Sequence, residues 1–385
     1  MLRFLTAGES HGPGLVTVVE GLPKDLTVSV EGLAGELSRR RQGHGRGARM
    51  SIEQDEIEIL GGVRHGRTLG SPVAMLIRNT EWPRWEKIMS PGPAEGGREV
   101  TRPRPGHADL AGMLKYDTDD ARDILERASA RETAARTVAG YLARQMLAAC
   151  EIEVMSHVVS IGTVVAKTLR PEPADRARIE ADPVRCLDSE ASAQMVEAID
   201  WAQEAKDTLG GVFEVIAHGV PVGIGSHVHY DRRLDMLLAG AVMSIPAIKG
   251  VEIGDGFATA AAPGSEAHDE IVRVEGVVTR ETNRAGGVEG GMSNGQPIRV
   301  RGAMKPISTL MQPLKTVDMS TGQPDQAVRE RSDVCAVPAA GVVGEQMVAF
   351  VLASELSRKF GGDTVGDLVS SLKTYRARVD SRVNE

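Results

Sequence analysis

Apolar and small residues recur at helical spacing through residues 119–147, and they predict a buried helix there. The residues on this face are Ile124, Ala128, Ala135, Val138, Leu142 and Met146. Most of them are small, so the backbone of another element can approach closely. We therefore predict one long helix that begins near Asp119 or Asp120 and lies inside the protein.

Alternation of apolar and polar residues predicts strands on both sides of this helix. These strands fall at residues 2–7, 15–23, 57–60, 72–79, 152–166 and 297–304, with a hairpin at 210–231. Further helical patterns cover residues 31–41, 189–205, 231–256 and 342–360. Strands of antiparallel character with apolar helices among them favour an α+β layered fold over a doubly wound parallel sheet.

Composition narrows the class of protein. The 385 residues suffice for one large domain or two, and the net charge is −8. With only 3% aromatic residues, this acidity argues against a general nucleic-acid binder. The three cysteines, Cys150, Cys186 and Cys335, show neither a disulfide framework nor zinc spacing, and no metal site is expected. Without a signal peptide or an apolar run near ~18 residues, we predict a soluble cytoplasmic protein that makes no membrane contact.

Arginine and glycine alternate in residues 39–50, which contain Arg39, Arg40, Arg41, Arg46 and Arg49. Glycine leaves backbone N–H groups accessible, and guanidinium groups match the oxygens of phosphates and carboxylates. In an acidic protein this segment indicates a small polyanionic ligand. The alternatives are a solvated basic loop or a short RNA-binding tract, although the segment is short and isolated for the latter.

Two histidines lie in glycine-rich loops. His11 follows Ser10 in GESHGPG, and His107 lies beside Arg104 in RPGHAD, where Pro105 and Gly106 form a tight turn. On the predicted helix, Arg127 and Arg131 share a face. From spacing alone, pairing with Asp120, Asp123 and Glu132 is slightly favoured over an anion site, but the neighbouring histidine loop favours a site. The long connector 81–104 is a candidate flap, and His227 and His229 are interpreted as structural or surface residues.

Eight segments in order, from residue 8 to residue 343, resemble the chorismate synthase family. They are GESHGPG (8–14), RRQGHGRGARM (40–50), RPGHADL (104–110), RASARETAAR (127–136), AIKGVEIGDGF (247–257), NRAGGVEGGMSNG (283–295), MKPIST (304–309) and RSDVCAVPAAGVV (331–343). The resemblance is weakest at 167–209 and after about 365. Pro246 departs from the family, which often has Asn or Gln there, so the side-chain amide contact to the flavin is lost.

The resemblance implies a single domain over 1–385, with a helical core between two antiparallel sheets, a β-α-β sandwich. It implies a homotetramer built as a dimer of dimers. The implied reaction is the last common step of the shikimate pathway, a 1,4-anti elimination of phosphate from 5-enolpyruvylshikimate 3-phosphate that gives chorismate. Reduced FMN is required, and NADPH or an external flavin reductase is the candidate source of electrons. A flavin reductase whose main task is hydride transfer from NADPH remains an alternative function.

The resemblance also implies site residues by matching position. The catalytic positions are His11, for the leaving phosphate, His107, for the reduced flavin, and Asp333 with Ser129, for a proton relay. The substrate positions are Ser10, Arg40, Arg46, Arg49, Arg104 and Arg131, of which Arg40 and Arg46 also match NADP positions. The flavin positions are Arg127, Ala128, Ser129, Pro246, Ala247, Gly290, Lys305, Pro306, Ile307, Ser308, Thr309 and Arg331. Histidine suits both proton-transfer roles because its pKa lies near the operating pH.

Overall fold

A computed structural model of the chain describes residues 2–47, 55–93, 99–330 and 332–383. Two antiparallel sheets organise it. The first sheet contains β1 Arg3–Ala7, β2 Gly14–Glu20, β3 Glu56–Gly61 and β4 Val73–Arg78, in the order β1-β2-β4-β3. Its inward face carries Leu15, Val19, Met75 and Ile77, which are almost completely buried.

The second sheet is assembled from the later part of the chain. Its strands are β5 Glu153–Ile161, β6 Val164–Val165, β7 Gly211–His218, β8 Ile248–Ile253 and β9 Ile298–Met304, in the order β8-β9-β7-β5-β6. All four pairings are antiparallel. The central strand β7 is buried from Phe213 to Ala217, as expected for a strand covered on both sides.

The main helices are α1 Val30–Arg41, α2 Asp109–Tyr116, α3 Arg122–Ala128, α4 Glu132–Ala149, α5 Ser189–Glu204, α6 Leu234–Met243, α7 Val337–Phe360 and α8 Val365–Val383. Short helices cover Trp82–Trp85, Pro173–Asp175, Arg176–Ala181, Tyr230–Arg232, Gly256–Ala261 and Gly264–Ala267. Short strand pairs join Val63–Arg64 to Arg67–Thr68, Ile271–Val274 to Val277–Arg280, Val288–Glu289 to Met292–Ser293, and Lys315–Val317 to Pro324–Gln326.

Helices α4 and α7 fill the space between the sheets. Helix α4 packs against β1 and β2, and α7 packs against β5 and β7. The two helices touch so closely that a Cβ atom built at Gly140 would lie 2.2 Å from Cβ of Gln346. The predicted helical core between two antiparallel sheets is therefore confirmed, as is the close approach allowed by small residues.

Helix α7 is long and apolar enough to cross a membrane by length and composition alone. However, 89% of its most apolar window is buried inside the protein. It is the central core helix of the sandwich. It begins at Val337 rather than near residue 342, because Pro338 fits in the first helical turn, where its missing N–H is tolerated.

The single long helix predicted over 119–147 is wrong. The chain forms α3 and α4, which are separated at residues 129–131, where Ser129 adopts an extended conformation with φ −60° and ψ 143°. The apolar spacing continues across the break, so periodicity did not reveal it. The break turns Ser129 toward Ser10 of the N-terminal loop and Arg131 toward Asp55 and Asn79.

Two further predictions are wrong in extent. The hairpin predicted at 210–231 is the single strand β7 followed by a loop, because Gly219, Gly223 and Gly225 have positive φ and Pro221 has no N–H to donate. The helix predicted at 231–256 is α6 alone, followed by β8. Pro246 excludes a continuing helix, and residues 248–253 pair with β9.

Candidate active site

One cavity of about 660 Å³ opens between the N-terminal loop, the α3–α4 break and the start of α7. It collects most of the site residues predicted from the sequence. Those lining it are Ser10, His11, Arg40, Arg46, Arg104, His107, Ala128, Ser129, Arg131, Pro246, Ala247, Lys305, Ile307, Ser308, Thr309 and Asp333. Residues distant in sequence therefore meet at one site.

Glu126 on α3 holds His11 in place. Nδ1 of His11 lies 3.0 Å from both carboxylate oxygens of Glu126, and the backbone N–H of His11 donates to the same carboxylate at 2.9 Å. The Trp85 ring stacks on the imidazole with a centroid separation of 4.0 Å. Burial alone would raise the pKa of Glu126, but the hydrogen bonds from His11 and the charge of Arg122 hold that pKa below its ordinary value.

The α3–α4 break brings hydroxyl and guanidinium groups to the same loop. Ser129 Oγ donates a hydrogen bond to Ser10 Oγ at 3.2 Å. The same Ser129 Oγ accepts a hydrogen bond from the backbone N–H of Arg131. The Arg131 guanidinium is 4% exposed and donates to Asp55 at 2.5 Å and to Asn79 at 3.0 Å. Arg131 is therefore held by an acid and an amide, rather than lying on a solvated face.

His107 belongs to a second carboxylate cluster, in the loop before α2. Its Nδ1 makes a short hydrogen bond to Asp109, which also accepts from Arg104 Nε at 2.8 Å and from the Arg104 backbone N–H at 3.1 Å. Burial alone would raise the pKa of Asp109, but the bonds from His107 and Arg104 hold it well below its usual range. Arg104 also donates to Thr309 at 3.1 Å, which ties this loop to the opposite wall.

The last turn of α1 and the glycine-rich loop after it each contribute one arginine. Arg40 is 4% exposed and donates to Thr133 at 2.8 Å and to the carbonyl of Ala130 at 3.0 Å. Arg46 pairs with Asp333 at 2.7 Å, and the backbone N–H of Gly47 donates to the same carboxylate at 2.7 Å. Arg40, Arg46 and Gly47 of the basic segment thus form part of the cavity wall.

The far wall combines apolar and cationic groups. Ile245, Met304, Ile307 and Met311 supply the apolar part, and Lys305 Nζ donates to the carbonyl of Gly106 at 2.6 Å. Burial, followed by the charge of Lys249, lowers the pKa of Lys305. A flat, largely apolar ring bearing a phosphate would find a complementary surface here.

Three predicted site residues within the described part of the chain do not line this cavity. The Arg127 guanidinium donates to the carbonyls of Thr6 and Gly8, Pro306 lies between lining residues, and Gly290 is in the hairpin containing Val288–Glu289. Arg49 and Arg331 lie outside the described residues. Their roles stay predictions.

Sequence reasoning missed the carboxylates behind both histidines. Asp109 follows His107 by two residues in a quoted motif, and Glu126 is four residues after Arg122, with which it pairs at 2.9 Å. That spacing was the available signal for Glu126. Trp85 lies in the connector predicted as a flap and packs on His11. His227 and His229 are exposed, and His229 pairs with Asp231.

Comparisons with known proteins agree with one another. The family model described as chorismate synthase matches residues 2–356. Curated chorismate synthases from Thermobifida fusca and Salinispora tropica are each 60% identical, over 97% of this chain and 98% of theirs. A crystal structure of chorismate synthase superimposes with a TM-score of 0.80 at 41% identity, covering 99% of this chain and 98% of that one. This chain belongs to the chorismate synthase family, lyases that act on phosphates and serve aromatic biosynthesis.

Proposed function

We propose that the cavity binds 5-enolpyruvylshikimate 3-phosphate beside reduced FMN and eliminates its phosphate in a 1,4-anti reaction that yields chorismate. The observation that carries this proposal is the convergence of Arg40, Arg46, Arg104 and Arg131 with His11 on one cavity. The substrate bears two carboxylates and a phosphate. Guanidinium groups fixed by protein partners suit such a polyanion because little side-chain entropy remains to be lost on binding.

His11 is the proposed acid for the leaving phosphate. Its ring is clamped between Glu126 and Trp85, and Nδ1 is committed to the carboxylate. A proton donated from the other nitrogen, Nε2, would neutralise the negative charge that develops on the phosphate as the carbon–oxygen bond breaks. Ser10, which precedes His11 in the chain and accepts a hydrogen bond from Ser129, is the proposed contact to the substrate.

The family implies a flavin cofactor, and the part of the cavity wall that contains Pro246, Ala247 and the 305–309 segment fits one. We propose that Ala247 and the 305–309 segment hold the ring and its phosphate, with Lys305, Ser308 and Thr309 as charged and hydroxyl partners. Bound reduced FMN would supply electron density as phosphate departs. His107 would stabilise the reduced form, and Asp333 with Ser129 would relay a proton; Arg46 and Gly47 hold the Asp333 carboxylate for that purpose.

Assembly and location are also proposals. We propose a homotetramer of single-domain chains over 1–385 in the cytoplasm, without nucleic-acid or membrane partners. Support for one domain is a single large core cluster whose buried members run from Leu2 to Leu372. Support for assembly is an apolar outer face on the first sheet, where the exposed Leu5 pairs with Val18.

An anaerobic assay of chorismate formation tests the function. Chemically reduced FMN should support turnover, and FMN with NADPH should do so only if the chain, or an added flavin reductase, transfers the hydride. We expect FMN to bind more tightly when reduced and with substrate present, and turnover in air to stop unless a reductant is supplied. Full activity in a flavin-free preparation would overturn the proposal, and NADPH oxidation without chorismate would favour the flavin reductase alternative.

A further inference from the structure

Both histidines of the cavity use the same ring nitrogen to contact a buried carboxylate. His11 places Nδ1 on Glu126, and His107 places Nδ1 on Asp109. The two carboxylates come from different helices, α3 and α2, and their side chains are 2% and 0% exposed. The same arrangement occurs twice at one site, on unrelated stretches of the chain.

Glu126 is saturated by donors that fix both the backbone and the ring of His11. Its carboxylate accepts from the His11 backbone N–H, faces Nδ1, and accepts from Arg122 at 2.9 Å. Its own carbonyl accepts the Ser10 N–H at 3.0 Å. Since Trp85 covers one face of the ring, His11 has little freedom to rotate or to flip its nitrogens.

Asp109 plays the corresponding part for His107. It lies at the first position of α2 and holds three donors of Arg104, namely the backbone N–H, Nε and Nη2, in addition to the imidazole. Arg104 alone would neutralise this carboxylate. The added bond to His107 therefore sets the orientation of the ring beyond what charge compensation requires.

We propose that Glu126 and Asp109 are positioning residues, each of which keeps the proton on Nδ1 of its histidine and leaves Nε2 as the nitrogen that exchanges protons with the reacting molecules. A carboxylate on one nitrogen fixes the tautomer and stabilises the imidazolium. The inference rests on the proposed function for its chemistry. The tautomers themselves are independent of turnover.

Positively charged side chains lie around both rings. His11 faces Glu126, with Arg122 behind it, and shares the cavity with Arg40, Arg46 and Arg131. His107 faces Asp109 and Arg104, with Lys305 bonded to the preceding Gly106. Loss of either carboxylate would therefore leave its imidazole beside these cations, without the partner that fixes the proton on Nδ1.

The first test uses Glu126→Gln, Glu126→Asp and, as matched control, Asp123→Asn, an exposed acid on the same helix. Anaerobic rates with reduced FMN should show kcat about 10²-fold lower for Glu126→Gln, at nearly unchanged KM. Glu126→Asp should recover part of the lost kcat because it restores the charge. The control should match the wild type.

A wild-type kcat in Glu126→Gln would overturn the inference, as would Glu126→Asp that is no better than Glu126→Gln. If Glu126→Gln fails to fold, Glu126→Asp decides alone. A folded variant with lowered kcat and retained KM supports positioning, and a wild-type kcat contradicts it.

The second test needs no turnover. NMR of protein labelled with ¹⁵N-histidine, which has nine histidines, reports which ring nitrogen carries the proton, with His11→Ala and His107→Ala giving the assignments. We expect protonated Nδ1 for both in the wild type, a mixture for His107 in Asp109→Asn, and no change in the exposed control Asp117→Asn. An Nε2–H tautomer in the wild type would overturn the inference. Inactivity of the wild-type chain would instead count against the proposed function.

Discussion

The two cavity histidines differ in their neighbours, and this difference separates their roles at the level of single residues. His11 lies with Ser10 and Trp85, whereas His107 lies beside the loop that carries Lys305. We expect His11→Ala to slow phosphate release and His107→Ala to disturb the protonation of bound reduced flavin, each by about 10²–10⁴-fold in rate. Anaerobic single-turnover kinetics that follow phosphate and the flavin spectrum together would distinguish them. A normal flavin spectrum with slow phosphate release in His107→Ala would reverse the roles.

Arg46 is the arginine of the glycine-rich loop whose removal has the most direct consequence. It is 10% exposed and pairs with Asp333. Arg46→Ala therefore removes a cation from the proposed substrate site and leaves the negatively charged Asp333 there. We expect substrate binding to weaken by roughly 2–5 kcal/mol, measured by isothermal titration. Arg49→Ala is expected to act in the same direction. Arg3→Ala, which removes a surface pair with Glu20, is the control. Unchanged affinity in Arg46→Ala would mean that the loop is only a basic surface.

Single residues were predictable where a motif names them and hidden where only folding brings them together. Ser10, His11 and His107 were identified from short glycine-flanked loops. Glu126 was not, because a glutamate on a helix is usually solvated, and only the position of the N-terminal loop explains why this one is buried. The same limit applies to Trp85, whose contact depends on how the connector folds back.

At the level of elements, close contact between α4 and α7 can be tested at one glycine. Gly140→Ala would place Cβ 2.2 Å from Cβ of Gln346, within two rigid core helices. We expect a loss of about 1–3 kcal/mol in the free energy of unfolding, measured by urea denaturation. The matched control is Gly35→Ala in α1, where a Cβ meets nothing within 4 Å, and this change should stabilise by about 0.5–1 kcal/mol. Equal effects of the two substitutions would contradict such close packing.

The second sheet contains a buried carboxylate that makes the stability of the sheet depend on pH. Glu214 on β7 accepts from Arg299 at 3.0 Å and Arg301 at 2.8 Å on β9, and faces His157 on β5. Burial opposes ionisation, but these partners lower the pKa of Glu214 from 4.5 to about 2. Because the folded-state pKa is depressed, this stabilisation is present above pH 4.5 and is lost as the pH falls toward 2.

Glu214→Gln should therefore lower the free energy of unfolding at pH 7 by on the order of 3 kcal/mol. It should also flatten the pH dependence between pH 4.5 and about 2. Urea midpoints at several pH values measure both, and Glu204→Gln on the exposed side of α5 is the control. An unchanged slope below pH 4.5 would assign the acid sensitivity elsewhere.

Strand and helix types were largely predictable from periodicity, and the breaks between them were not. The strands predicted at 2–7, 72–79 and 297–304 correspond to β1, β4 and β9. The α3–α4 break was missed because Ala128 and Ala135 keep helical spacing across it. What ends α3 is the tertiary hydrogen bonding of Ser129 and Arg131, and a local pattern does not contain it.

At the scale of the whole molecule, assembly should depend on the outer face of the first sheet. Leu5 is 71% exposed, and its neighbours on that face include Val16, Val18 and Leu76. If this face is buried in the proposed homotetramer, Leu5→Glu should reduce the molar mass measured by light scattering, since a charge there would be desolvated. Val165→Glu, on the edge of the second sheet, should leave the mass unchanged. The opposite result would place the subunit contact on the second sheet.

The contact between α4 and α7 also sets a timetable for synthesis. The ribosome completes Gly140 about 200 residues before it completes Gln346, against which that glycine packs. At roughly 5–20 residues per second the interval is about 10–40 seconds, and during it the inner face of α4 has no α7 to cover it. The interval is longer for His11, because the cavity that it lines is also lined by Val343 and is incomplete until that residue has been synthesised. A ribosome stalled before codon 337 would thus hold a chain with an uncovered apolar surface, which makes chaperone occupancy on arrested chains a direct readout of this architecture.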